Sequence, residues 1–490
     1  MRIVVLSDSM RHFIEAGLLL LAVAVAVLAF GGTAPQFFAL TQGIVLLLGI
    51  FQLIAGRTPA AASTRYPIII PFFLIALVLL QIAPIPFSMA SALEIAAAGP
   101  HGHSYFTISA SPYETVSHLL LLVTYVTAFY LVLALCEEQT ARRRLVFVLL
   151  GIGTFEAFYG LVQYLTGWQQ IFFYVKKYYL EDATGTYINR NHFAGLLEML
   201  LPFAVVYALQ KFWNLRRIAR SEDIRRARKI LSSREFPSLV LWVFVAAVLF
   251  AALASSRSRM GIISTLVSLI AMVAMAGTSS MSARVRLSLG ALFLCGMIGL
   301  AIWIGSDPVI SRFNTLSDQY HHPGHDRVSI WWDTLQLIRR HPIVGTGFGT
   351  FAVVYPSVQT AFLNNVVDHA HCDYLEIISE LGLPGGIALF GAIFWVLGLT
   401  IRRCRRSGRE EDKVIAFGCL GSTVAILLHS LADFNLYIPA NALVFVIILA
   451  LAWSNTGREA RPGVSSLTQS LERKPVPQIE HEDDVLPAIR

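Results

Sequence analysis

Charge is scarce in this chain. Asp, Glu, Lys and Arg make up 14% of its 490 residues, against about 25% in soluble globular proteins. With 56% hydrophobic residues and a mean hydropathy of +0.63, that deficit excludes an ordinary soluble domain. The alternating apolar and polar stretches that a β-barrel needs are nearly missing, which leaves helices as the spanning element. Cysteine is sparse too. Cys136, Cys295, Cys372, Cys404 and Cys419 are scattered, with no CxxC pair and no zinc spacing, which argues against a disulfide framework. No internal repeat is visible.

What the chain has instead is apolar runs, each long enough to cross a hydrocarbon core about 30 Å thick. Twelve read as helices, at about 13–30, 37–55, 67–83, 117–135, 145–165, 191–210, 237–254, 260–277, 287–305, 376–401, 413–431 and 438–454. The fold class expected is an all-α polytopic membrane protein with about 12 transmembrane helices. Arg2 and Arg11 ahead of the first run give it the look of a signal peptide. It is longer than a usual signal core and more spans follow, so an uncleaved first helix is expected.

With the N-terminus in the cytoplasm, 29 of the 38 Lys and Arg residues fall on the inner side and nine on the outer side. This is the positive-inside bias. It puts both termini in the cytoplasm and explains the net charge of +7 as a topology signal, with some attraction to anionic lipid heads and no call for nucleic acid. Residues 1–454 are expected to form one transmembrane domain, and the polar tail 455–490 to be disordered. The outer segments are 84–116 (with His101, His103 and, at its edge, His118), 166–190, 255–259 and the large loop 306–375, which is expected to carry short interfacial helices.

Among the few outer basic residues, Arg190 in "GTYINRNHFAG", Arg257 and Arg259 in "SSRSRMG" and Arg327 in "HDRVSIWW" are held near the membrane plane. Two readings stand: they snorkel to lipid phosphates, or they converge on an anionic substrate that the guanidinium fork matches. Val328–Arg340 reads as an amphipathic interfacial helix with Trp331 and Trp332 in the belt. "GTGFGTF", with no strand before it, reads as a turn rather than a nucleotide loop.

The densest titratable stretch is "VVDHAHCDYLEIISELGLPGG", residues 366–386. A helix starting near Cys372 puts Asp373, Glu376 and Glu380 on one face, with His371 at its N-terminal edge, where the dipole favours a neutral imidazole. Gly382 and the "LPGG" that follows predict a bend. His369 is the rival base, and Asp368, Asp373 or Glu376 are candidates to orient the imidazole. A zinc reading of Asp368, His369, His371 and Asp373, helped by His321, His322 and His325, lacks a ligand spacing to support it. Polar capping of a helix start is the plainest alternative.

Together these segments resemble the O-antigen ligase/polymerase superfamily, membrane glycosyltransferases with a Wzy C-terminal-type domain, over about residues 140–455. His371, Cys372, nine residues, Gly382, three residues and Gly386 follow that family's spacing, with Cys372 where an amide or hydroxyl is usual. "RHPIVGTGFGTF", "NRNHFAG" and "SRMG" are similar to its other motifs. The resemblance implies an undecaprenyl-diphosphate-linked glycan as donor. The acceptor hydroxyl would belong to lipid A-core, another glycan or a protein. It also implies an inverting, metal-independent transfer without cofactor, at the periplasmic face of a bacterial inner membrane. It assigns His371 as catalytic base and Arg190 and Arg259 as diphosphate ligands, with Arg327 a third candidate and Arg257 an ambiguous neighbour of Arg259; His369, Asp373 and Glu376 remain candidates for support from their positions. Glu156 and Glu198, inside spans, keep a transporter or permease as the competing class. An outer arginine is a further candidate partner for Glu198.

A cysteine placed at Ser317, on a background lacking the native cysteines, should react with a membrane-impermeant thiol reagent in intact spheroplasts. Labelling only after lysis would refute the orientation.

Overall fold

The computed structural model describes residues 8–55, 69–86, 105–219, 230–276, 327–360, 366–406 and 410–454. Thirteen α-helices follow in chain order among them. They are α1 (Asp8–Leu28), α2 (Pro35–Ile54), α3 (Ile69–Ile82), α4 (Pro112–Leu135), α5 (Gln139–Thr166), α6 (Arg190–Ala219), α7 (Glu235–Ser255), α8 (Arg259–Ala276), α9 (Arg327–Arg340), α10 (Phe351–Val354), α11 (Asp373–Arg406), α12 (Glu410–His429) and α13 (Pro439–Ser454). The only strands described are two antiparallel two-residue pairs, Ile85–Pro86 with Tyr105–Phe106 and Gln170–Ile171 with Tyr174–Val175.

Among the described residues, seven helices are long and apolar enough to cross a membrane, and α1, α3, α8 and α13 are shorter apolar helices. Together they account for every expected span except 287–305. That span, the tail 455–490, residues 306–326 of the large loop and His101, His103, His321, His322 and His325 lie outside the described residues. The protein is an all-α polytopic membrane protein.

Helix α6 is the centre. Its apolar stretch is 94% buried and that of α12 78%, against 28–44% for the other five long spans. It packs on α7, α8 and α12. Without a hydrophobic driving force between helices in lipid, close approach depends on small residues. A Cβ on Gly418 of α12 would lie 2.2 Å from the Phe203 ring of α6, and one on Gly421 2.6 Å from Pro202.

The two ends of the bundle differ. At one end, loops that the charge count assigns to the basic side meet around Asp412. Its carboxylate lies 3.5 Å from Arg142 at the start of α5 and 3.5 Å from Arg403 near the end of α11. Arg142 also donates to the Ser454 carbonyl at the end of α13 (3.3 Å). At the other end the remaining loops bond to one another: Ala183 N–H to Ser255 O (3.0 Å), Asp373 N–H to Ser430 O (3.0 Å) and Ala110 N–H to Thr346 O (2.9 Å).

At this second end α11 breaks at Gly382 (φ 69°, ψ 174°), a conformation open essentially to glycine alone. A Cβ there would sit 2.2 Å from the Ile343 carbonyl, so the expected bend is a close crossing with "GTGFGTF". That run is a turn. Its Thr346 and Gly347 N–H groups bond to Ser379 O and Glu380 O (3.0 and 3.1 Å). Helix α9 starts one residue earlier than the periodicity predicts and buries Ile330, Asp333, Thr334 and Leu337. Trp331 turns inward, its Nε1 donating to Ala370 O (3.0 Å), while Trp332 stays exposed. Asp333 accepts from Tyr355 Oη, Thr360 N–H and Thr360 Oγ1 (3.1, 3.1 and 2.8 Å), so the loop is pinned to its own helix.

Removing the Asp412 carboxylate leaves Arg142 and Arg403 buried without their counter-ion. Asp412→Ala should cost roughly 3–5 kcal/mol and lower the thermal midpoint of detergent-purified protein clearly. An unchanged midpoint would show that this cluster carries no stability.

Candidate functional site

The site is built on the link 430–438 between α12 and α13. The His429 carbonyl accepts from Ala432 N–H (3.0 Å) and closes a turn that brings Asp433 back toward the helix ends. Asp433 is buried, so its carboxylate needs partners. Asn191, second residue of α6, donates from Nδ2 to Oδ2 (2.6 Å). Arg327, first residue of α9, lies with Nη2 3.9 Å from Oδ2 and also donates from Nη1 to the Ala432 carbonyl. His371 Nδ1 is 3.7 Å from Oδ1, beyond hydrogen-bond distance. Burial works against the charge of Asp433. His371 and Arg327 outweigh it and hold the carboxyl well below the usual carboxylate range.

Phe434 divides the histidines. His369 stacks on its face at 3.9 Å, and His371 and His192 meet it edge-on at 5.0 and 4.7 Å. Helix α11 starts at Asp373, so His369 and His371 both sit on the loop ahead of it, His371 near its N-terminal edge. His371 takes φ +51°, uncommon for a residue other than glycine and characteristic of functional sites. Cys372 is buried with its sulfur toward the Tyr374 and Leu375 N–H groups, and burial raises its thiol pKa. It stands where a capping side chain belongs, a place an amide or hydroxyl also fills.

The carboxylates of α11 part company. Glu376 bonds His369 Nδ1 and the Ala370 N–H (both 2.7 Å). Asp373 accepts from Ser430 Oγ (2.6 Å) and Leu436 N–H (3.2 Å). Glu380 accepts from Tyr437 Oη (2.5 Å) and Phe351 N–H (2.9 Å). Asp373 and Glu376, two of the carboxylates expected to orient His371, thus bond elsewhere, and the carboxylate that faces His371 Nδ1 is Asp433, at 3.7 Å. Of the possible zinc ligands, His369 and Asp373 are taken up by separate bonds, and no group of three or more His, Cys, Asp or Glu that could hold a metal occurs among the described residues. Glu198 pairs with His429, not with an outer arginine.

Arg190, Arg259 and Arg327 are the first residues of α6, α8 and α9. Each adds a guanidinium to the positive end of a helix. Arg190 binds Asp182 (2.7 Å) and lies over the Tyr179 ring (5.2 Å). Arg257, at φ +54°, reaches Glu181 (3.1 Å) and the same Asp182 (3.5 Å). Burial raises the Tyr179 phenol, and among its charged neighbours Arg190 acts on it most, ahead of Asp433 and Arg327. Arg259 is partly buried, two residues past Arg257.

Behind Tyr437 an apolar groove of about 240 Å³ runs between α3, α4, α11 and α13, lined by His118, Tyr125, Phe348, Phe445 and Trp453 among others. Helix α13 has 16 residues and is about 24 Å long, so the groove follows it through most of the membrane depth.

Sequence reasoning missed Asp433, Phe434, Asn191 and Asp182. Asn191 and His192 lie inside the "NRNHFAG" motif already singled out. Asp433 sits in a short link between two spans, where the only signal is one acid in an apolar neighbourhood.

Residues 244–390 match the family described as O-antigen ligase (Wzy_C). The match supports the resemblance to the O-antigen ligase/polymerase superfamily. It contains Arg257, Arg259, Arg327, His369 and His371; Arg190 and Asp433 lie outside it. No curated protein matches the chain.

Burial lowers the basicity of His369, but the Glu376 charge and hydrogen bond outweigh this and raise its pKa. The pair therefore stabilises the fold fully below the free-histidine value of about 6.5, and the contribution is lost as pH rises through the raised folded value. Thermal midpoints of wild type and Glu376→Gln should differ most below about pH 6.5 and converge as pH is raised. A gap that does not depend on pH would refute the charged pair.

Proposed function

We propose that this protein transfers a glycan from undecaprenyl diphosphate to an acceptor hydroxyl at the periplasmic face of a bacterial inner membrane. The acceptor class is lipid A-core, a second glycan or a protein hydroxyl. The observation that carries this reading is the sharing of Asp433 by His371 and Arg327. A base and a phosphate-binding group are thereby held at one point, above a membrane-deep apolar groove.

The acceptor O–H gives its proton to His371 Nε2, with Nδ1 turned toward Asp433, in the manner of a carboxylate-oriented histidine. The acceptor oxygen forms a bond to the anomeric carbon as the bond from that carbon to the phosphate oxygen breaks. The electron pair leaves on the diphosphate. Attack from the face opposite the leaving group inverts the anomeric centre. Arg327, Arg190 and Arg259, each at a helix N-terminus, stabilise the departing charge. Arg257 supports Arg190 through Asp182. The donor is already activated, so no nucleotide is consumed and the chemistry needs neither metal nor cofactor. The groove behind Tyr437 suits the isoprenoid chain, and aromatic side chains around Phe434 suit sugar rings.

Both carboxylates that suggest a transporter have fixed partners. Glu156 accepts from Thr186 N–H (2.8 Å) and Oγ1 (2.6 Å), and Glu198 is held by His429 and Ser264.

His371→Ala should lower transfer of a lipid-linked glycan by at least about 10²-fold while the purified protein still binds the donor. Asp433→Asn should lose less. Arg259→Lys should also be impaired, because an ammonium keeps charge but lacks the fork. Chelator should have no effect. Full activity in His371→Ala would remove the base assignment, and near-normal transfer by Arg259→Lys would leave only a general charge role.

A further inference from the structure

Glu198, His429 and Ser264 form a polar knot inside an apolar bundle. All three are fully buried. His429 Nδ1 lies 3.0 Å from both Glu198 carboxylate oxygens, and Ser264 Oγ donates to Oε2 at 2.5 Å. The three residues come from three elements, and each element also carries a group of the proposed site. Helix α6 starts with Arg190 and Asn191, eight residues or about 12 Å before Glu198. Helix α8 starts with Arg259, five residues or about 7.5 Å before Ser264. His429 ends α12 and opens the link whose Ser430 binds Asp373 and whose Asp433 faces His371 and Arg327.

We propose that Glu198 is a positioning residue. By gripping His429 and Ser264 it sets the register of α6, α8 and the 430–438 link, and so the relative placement of Arg190, Arg259 and Asp433. This deepens the glycan-transfer reading and rests on it for its catalytic consequence. An ionisable pair at this depth is costly, and buried pairs are commonly replaceable by packed apolar side chains without loss of stability. A role confined to holding the bundle together would be met as well by two leucines. A role in register would not, because apolar contacts lack the directionality of hydrogen bonds. Ser264 gives the knot a third leg, and the link it governs has a second tie to α6 through the bond from Asn191 to Asp433.

The test compares Glu198→Gln, Ser264→Ala and the double variant Glu198→Leu/His429→Leu with wild type. Thermal midpoint, hydrogen exchange of the 430–437 amides and transfer from a lipid-linked glycan are measured on each. The double variant should keep its midpoint while exchange in 430–437 rises at least tenfold and kcat/KM falls at least tenfold. Glu198→Gln, which can still bond both neighbours, should retain most of the activity, and Ser264→Ala should lie between. Unchanged exchange in 430–437 in the double variant overturns the proposal, as does wild-type kcat/KM in a double variant with a loosened link. If the double variant does not fold, Ser264→Ala and Glu198→Gln decide: equal loss in both, without any change in exchange, overturns it. If wild type transfers no lipid-linked glycan, the function reading fails and the exchange measurement alone judges the register role.

Discussion

One buried carboxylate organises this end of the molecule. Asp433 cannot stay ionised inside the bundle without partners, and the partners come from distant parts of the chain. Asn191 arrives from α6, Arg327 from α9 and His371 from the loop before α11. Two of them bring a neighbour: Arg190 beside Asn191, and His369, two residues before His371, stacked on Phe434. Satisfying the carboxylate and assembling the site are therefore the same event.

The bundle has a counterpart at its other end. Asp412, in the first turn of α12, gathers Arg142 and Arg403 much as Asp433, just past the end of α12, gathers Arg327 and His371. The difference lies in the partners. Two arginines around Asp412 make a closed ionic contact whose side chains are under a tenth exposed. Around Asp433, His371 and Arg327 remain over a third exposed, so their free edges face a space where a ligand can compete. Interior packing between these ends follows from membrane physics. Glycines at α6–α12 contacts permit the close approach that lipid does not enforce, and intramembrane Glu156 and Glu198 are each tied to fixed hydrogen-bond partners.

The helical bundle was legible because it depends on local properties. Apolar run length and low charge dictate spanning helices whatever their neighbours. Gly382 announced a bend because few residues accept its backbone angles, and His371 and the arginines stood out as rare polar groups near apolar run ends. The pairing of those groups was not legible. Asp373 and Glu376 share a helix face with Glu380, yet each takes a different partner, because the loop from 366 to 372 and the link 430–438 approach them from separate directions.

The amino-acid sequence by itself therefore determined the class of the molecule, the order of the apolar helices among the described residues, the asymmetry of its basic residues and part of the cast of polar residues at one end. These follow from composition and periodicity, which act over one or two helical turns. Only the tertiary structure decided that Asp433 is the carboxylate facing His371, that His369 belongs to Glu376, and that Glu198 grips His429 across 231 residues of chain. Such choices depend on which helix ends meet in space. Contacts that long-range are set by packing of the whole bundle, and no local pattern encodes them.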